Sequence, residues 1–232
     1  MTSKITGMML VRNEAARWLE SVLEQMAHLC ERIVVLDDAS TDETPEICDK
    51  YGAIVHLSEK SLFETDQSAL WERLWKHTTE VSDGGDWILS LAADETLEER
   101  ALSDLPKMIS LAEKNELNGL GLWLYDMWDE HHYRDDLHWS TKRGVWVVAR
   151  RYDPKVDYAW RKQQSHVGRL PYKPPMRVLV TPLRIQHWGY SRPEYRQYKY
   201  ERQKRTNPGY LWGSKEHYEG IFGEPNLLKW EE

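Results

Sequence analysis

Cysteine is almost missing from this chain. Cys30 and Cys48 are the only two in 232 residues, and no C-x-x-C spacing joins them, so neither a disulfide framework nor a zinc ribbon is expected. Long apolar runs are missing too, which excludes a helical membrane span. The opening M-T-S-K-I-T-G-M-M-L lacks the apolar stretch of a secretory signal, so the expected location is the cytoplasm. No excess of basic charge is present. Lys and Arg number 31 against 38 Asp and Glu, a net −7, which argues against a protein that coats nucleic acid through its overall field. A Gly-rich phosphate loop near the first strand is absent, and this disfavours a nucleotidyltransferase. Phenylalanine is scarce, at two against twelve Trp and twelve Tyr. Amphipathic rings suit surfaces that stack on sugars or bases, although core packing accounts for many of them.

What is present reads as a globular chain, 41% hydrophobic and 30% charged, long enough for a substantial core. An apolar run over 5–11 predicts a buried strand ending in Arg12, Asn13 and Glu14. Apolar residues at helical spacing follow over 15–29. A second strand over 33–36 ends in D-D-A-S-T-D-E-T, where Pro45 suits a helix first turn. A third strand is expected over 53–57 and a helix over 64–79. This alternation predicts an α/β fold with a mostly parallel sheet flanked by helices. Further expectations are a helix over 97–117 interrupted at Pro106, strands over 119–125, 145–149 and 177–181, and a helix over 193–205. Residues 1–118 read as a nucleotide-binding half, and 119–232 as an irregular, aromatic-rich elaboration of the same domain that binds the acceptor and closes the site.

The stretch Asp86 to Glu95, D-W-I-L-S-L-A-A-D-E, is a strand that surfaces in carboxylates. Ligands of open α/β sheets bind outside the carboxyl ends of strands, which makes Asp94 and Glu95 site candidates. The competing reading is that both begin a helix through T-L-E-E-R-A-L.

R-N-E, D-D-A-S-T-D-E-T and A-A-D-E, in that order and spacing, resemble the strand ends of family-2 glycosyltransferases of the GT-A fold, bacterial or phage type. A second echo is Q-H-W-G-Y-S-R-P-E-Y-R-Q-Y-K-Y-E-R, similar to the H-x-G-Y segment and basic helix that close the donor site in bacterial members. The resemblance implies transfer of a sugar from a nucleotide-diphosphate donor, UDP-sugar favoured, to the hydroxyl of a glycan or other acceptor, metal-dependent and inverting. It implies that Val11, Asn13, Glu14, Asp37, Asp38 and Ala93 line the nucleotide pocket, where carboxylates suit the N–H of uracil and the hydroxyls of ribose. Asp94 and His187 would hold Mn²⁺ or Mg²⁺. The chain departs from the D-x-D pattern at Ala92, which removes one carboxylate. Arg192, Lys199 and Arg202 are the expected phosphate contacts. Inversion needs a carboxylate base, for which Asp126 and Asp129 are favoured, with Glu95 also available. His131, His132, His138 and His166 read as surface or hydrogen-bonded side chains, and the Trp-rich stretches 125–133 and 138–139 as an acceptor wall. Two other readings stand beside this one. The acceptor could be a modified DNA base or a protein side chain, or the chain could be a nucleotide- or sugar-binding protein impaired in catalysis by Ala92.

Overall fold

The apolar alternation of the first strands divides cleanly between two faces of one sheet. Met8, Val34, Leu36 and Ile88 pack on one side, Met9, Ile33, Val35, Trp87 and Leu89 on the other, all buried. Burial on both faces is what a parallel strand needs. The structure is a computed structural model that describes residues 3–139, 144–164, 167–211 and 214–232; His166 lies outside the described residues.

The strands are β1 (Ile5–Val11), β2 (Arg32–Asp37), β3 (Ile54–Leu57), β4 (Trp87–Ser90), β5 (Glu95–Leu97), β6 (Gly119–Asp126), β7 (His132–Arg134), β8 (Val145–Arg151), β9 (Val178–His187) and β10 (Leu227–Lys229). Eight form the main sheet in the order β3-β2-β1-β4-β8-β6-β9-β5. The β3-β2-β1-β4 half and the β6-β9 pair are parallel, while β8 and β5 run antiparallel to their neighbours. The expected α/β class with a mostly parallel sheet is found. β7 and β10 make a separate two-stranded ribbon.

Helices α1 (Leu19–Leu29), α2 (Thr44–Lys50) and α4 (Ala101–Lys114) cover one face, and α3 (Gln67–Glu80) the other through Leu70, Trp71, Leu74 and Trp75. The interruption expected at Pro106 is absent, because α4 runs through it. Pro106 lies less than two turns from the helix start, so it forfeits a single backbone bond. Burial of Ala101, Leu105, Ile109 and Ala112 on one face holds the helix together. A second difference is β9, which continues past Thr181 and Pro182 to His187. The ladder to β6 shifts register between Gly121 and Trp123, and such an irregularity tolerates a residue with no N–H to give. The extension matters, since it carries His187 to the sheet's functional end. Beyond it lie α5 (Pro193–Thr206) and the short α6 (Lys215–Glu219).

Candidate active site

Strand register builds the centre of the site. β9 lies between β6 and β5, so His187 is the ladder partner of Asp126 on one side and Glu95 on the other. The Trp188 N–H donates to the Asp94 carbonyl at 2.8 Å, tying the β4–β5 turn to the end of β9. Asp94, Asp126 and His187 therefore meet although they are distant in sequence. Nδ1 of His187 lies 2.5 Å from Asp126 Oδ1, and Nε2 lies 3.3 Å from Asp94 Oδ2. A carboxylate behind one ring nitrogen fixes the tautomer and aims the other nitrogen into the site.

Lys199, on α5, completes the group. Its Nζ lies 2.9 Å from His187 Nε2 and 3.4 Å from Asp94 Oδ2. Against burial and the Lys199 charge, Asp94 and Asp126 push the His187 pKa up to about 9, yet a nitrogen–nitrogen separation this short needs a lone pair on one partner; with Lys199 an ammonium, that partner is His187 with its proton on Nδ1. Burial acts to raise the Asp94 pKa, but the neighbouring charge, Lys199 foremost, outweighs it and holds the carboxyl well below the usual range. Asp94 and His187 come together at 3.3 Å, yet an ammonium lies against both. Among the described residues no group of three or more His, Cys, Asp or Glu side chains could hold an ion. Mn²⁺ or Mg²⁺ could complete its shell with waters and donor phosphates beside two protein ligands; what opposes an ion here is the Lys199 ammonium already set against both groups.

The other candidates fall into distinct places. Asn13 has φ of 52°, a left-handed conformation that asparagine tolerates. Its Oδ1 accepts from the Thr41 N–H at 2.8 Å, and its own N–H donates to Ser40 at 2.9 Å, so the first two strand ends are stitched together beside the cleft. Val11, Asp37, Asp38 and Ala93 are buried beneath the rim. Asp37 accepts from the Ser40 N–H, which is turn-shaping. Asp38 accepts from Ser61 Oγ at 2.5 Å and from the Leu62 and Phe63 N–H groups at 2.8 and 3.0 Å, so it anchors the segment leading into α3. Burial, and then Asp94, push the Glu14 carboxyl up to about 7 against Arg17, Lys199 and Arg202.

Glu95 is not the helix-start residue of the competing reading. It opens β5 and is held in a two-point ion pair by Arg169, with Nη2 2.7 Å from Oε1. Nothing in the local sequence marks Arg169 as its partner. Asp129 accepts from the His131 and His132 N–H groups at 2.7 and 2.8 Å, so it shapes a turn. It lines a cavity of about 340 Å³ with Trp18, His132 and Arg192. Lys199 and Arg202 line a second cavity of about 200 Å³ with Phe63, Glu64 and Tyr190. The expected phosphate contacts thus divide, Arg192 facing one cavity and Lys199 with Arg202 the other.

The expected acceptor wall is corrected by the packing. Trp128 and Trp139 are buried with Tyr190 and Ile221 and meet edge to face at 5.1 Å, and the Arg134 guanidinium lies against both, 4.6 and 4.7 Å from their rings. Their faces are spent on the protein itself, as cation–π and edge contacts. Trp18 stacks on Trp188 at 4.0 Å and borders the cavity that it shares with Asp129 and Arg192.

The family model described as Glycosyl transferase family 2 matches residues 9–191. An uncharacterized glycosyltransferase of Rickettsia bellii (strain RML369-C) is 32% identical over 97 residues, 42% of this chain and 30% of that protein. A second, from Rickettsia conorii (strain ATCC VR-613 / Malish 7), is 29% identical over 97 residues, with 31% of its length matched. The chain therefore spans less than a third of either relative. The crystal structure of S. aureus TarS superimposes with a TM-score of 0.53 at 16% identity, covering 94% of this chain and 42% of TarS. A structure of TarS 1-349 gives 0.52 at 15%, covering 94% and 69%. At such identity the likeness is one of fold.

Proposed function

Because the chain belongs to glycosyl transferase family 2, we propose that it transfers a sugar from a nucleoside-diphosphate donor, uridine favoured, to an acceptor hydroxyl with inversion. The observation that carries this reading is the meeting of Asp94, Asp126 and His187 where β4, β6 and β9 end. Carboxyl ends of strands are where an open sheet binds its ligand. The nucleoside lies over the ends of β1 and β2, beside Asn13 and the segment that Asp38 anchors. The diphosphate reaches toward Lys199 and Arg202, which supply charge-assisted donors.

The acceptor oxygen attacks the anomeric carbon, and the bond from that carbon to the β-phosphate oxygen breaks with its electrons left on phosphate. The acceptor proton passes to Asp126, whose Oδ1 is already held by His187. Charge growing on the leaving phosphate is the main barrier, and fixed donors aimed at it lower that barrier. Glu95 takes no part as base, since Arg169 holds both its oxygens.

Calorimetric titration of UDP, GDP, CDP and dTDP, each in EDTA and in millimolar Mn²⁺, tests the donor site. Binding of UDP at least about tenfold tighter than the others is expected, a difference of about 1.4 kcal/mol. Failure of all four under both conditions would sink the reading.

A further inference from the structure

Burying an ammonium is costly unless it is paired and hydrogen-bonded, and Lys199 is 13% exposed at its side chain. Its surroundings are built for it. A Cβ at Gly189 would overlap Nζ and come within 2.5 Å of Lys199 Cε and 2.6 Å of Asp94 Oδ2, so only glycine leaves this room. The Tyr190 ring lies 4.5 Å from Nζ, offering its face to the cation. Asp94 and His187 supply the polar contacts at 3.4 and 2.9 Å. Glycine, aromatic ring, carboxylate and imidazole thus surround one nitrogen, at the position where two side chains would otherwise offer ligands to an ion. Charge points the same way. Ala92 brings no carboxylate to this turn, and fewer carboxylates are balanced by a smaller positive charge.

We propose that the Lys199 ammonium, and not a divalent ion, is the resident cation of this site. It neutralises Asp94 in the free protein and receives the donor diphosphate during transfer. This rests on the donor reading given above. In the transfer step Lys199 keeps its protons and donates hydrogen bonds to the β-phosphate oxygen that receives the electron pair, while the acceptor proton goes to Asp126. Arg202 shares the same cavity and adds a second positive charge toward the phosphates.

The test is nucleotide binding with and without a metal, on the full chain and on Lys199→Met, which keeps most of the side-chain volume. UDP, GDP, CDP and dTDP are titrated calorimetrically in EDTA and in millimolar Mn²⁺, and Mn²⁺ binding without nucleotide is followed by electron paramagnetic resonance. The unsubstituted protein is expected to bind its nucleotide equally well in both media and to take up no Mn²⁺ alone. Lys199→Met should bind the nucleotide roughly ten- to a hundredfold more weakly in EDTA, the loss of one or two charge-assisted hydrogen bonds. It should also gain Mn²⁺ binding at the vacated Asp94–His187 pair and recover nucleotide affinity with it.

Nucleotide binding by the unsubstituted protein only in Mn²⁺ would overturn the Lys199 assignment and leave the donor reading standing. An unchanged affinity of Lys199→Met in EDTA would overturn it equally. No binding of any of the four nucleotides overturns the donor reading and the assignment together. Should Lys199→Met fail to fold, the two titrations of the unsubstituted protein decide the matter alone.

Discussion

Glu14 shows how the acidic rim is coupled to stability. Its N–H donates to Thr44 Oγ1 at 2.8 Å, which fixes the backbone, while the carboxyl is partly buried, 17% exposed, in the field of Asp94. Burial first and Asp94 second raise its pKa from 4.5 to about 7. Between these two pH values the folded chain holds a proton that the unfolded chain has lost. The neutral carboxyl therefore contributes stability below about pH 4.5 that is lost as the pH rises to 7 and does not return above it. Two and a half pH units correspond to at most about 3 to 4 kcal/mol. Glu14→Gln keeps the shape and removes the titration. The substituted protein should match the original near pH 4.5 and be more stable at pH 8, read as the difference in urea midpoints. Equal midpoints at pH 8 would show that the carboxyl is not held neutral by the fold.

Helix α5 differs from every other long helix in what holds it. Among its residues only Gln203 is buried, and it carries no apolar face of the kind that docks α1, α3 and α4. It lies over the strand ends through polar and ring contacts. Arg17 lies 4.9 and 5.4 Å from Tyr195 and Tyr198, and Arg205 pairs with Glu64 at 2.5 and 3.1 Å. Exposed pairs of this sort contribute about 0–1 kcal/mol each. The cavity beneath, about 200 Å³, is smaller than the roughly 300–1,000 Å³ of ordinary ligand pockets, so we expect this helix to shift when a nucleotide sugar binds. Amides of residues 197–206 should exchange with deuterium through a partial opening well below the free energy of β1 and β4, and UDP should slow them. Protection equal to that of β4 would contradict a movable helix.

The existence of α5 was legible from Pro193 and the run that follows, as β1, β2, β4 and α1 were from their periods, because those signals are local. The ten-residue reach of β9 and the existence of β5 were not, since each depends on a partner strand far away in sequence. The same reason separates Asp94 and His187, identified from motifs, from Lys199, whose place against both depends on how α5 crosses the sheet. Trp128 and Trp139 were misjudged because a ring available for stacking and a ring stacked on Arg134 look alike in sequence.

The sheet order ties the two halves of the chain together. Residues 1–118 include β1 to β4 and also β5, yet β5 sits at the far edge, paired with β9. Between β4 and β5 lie β8, β6 and β9, all from the second half. The apolar cluster beneath α1 and α4 likewise mixes Trp87 and Leu105 with Leu120, Val148 and Ile185. A fragment of residues 1–118 would leave the edge of β4 unpaired, β5 without a ladder and half of that cluster open to water. Unpaired edges and apolar surface of this extent favour aggregation over folding. The full chain should therefore unfold in one transition, with tryptophan fluorescence and far-ultraviolet circular dichroism giving the same midpoint. The 1–118 fragment should be insoluble or lack that transition. Two separated transitions, or a soluble fragment with a cooperative melt of its own, would show that the donor half is an independent unit onto which the second half is docked, and the meeting of Asp94, Asp126 and His187 would then depend on that docking instead of on a continuous sheet.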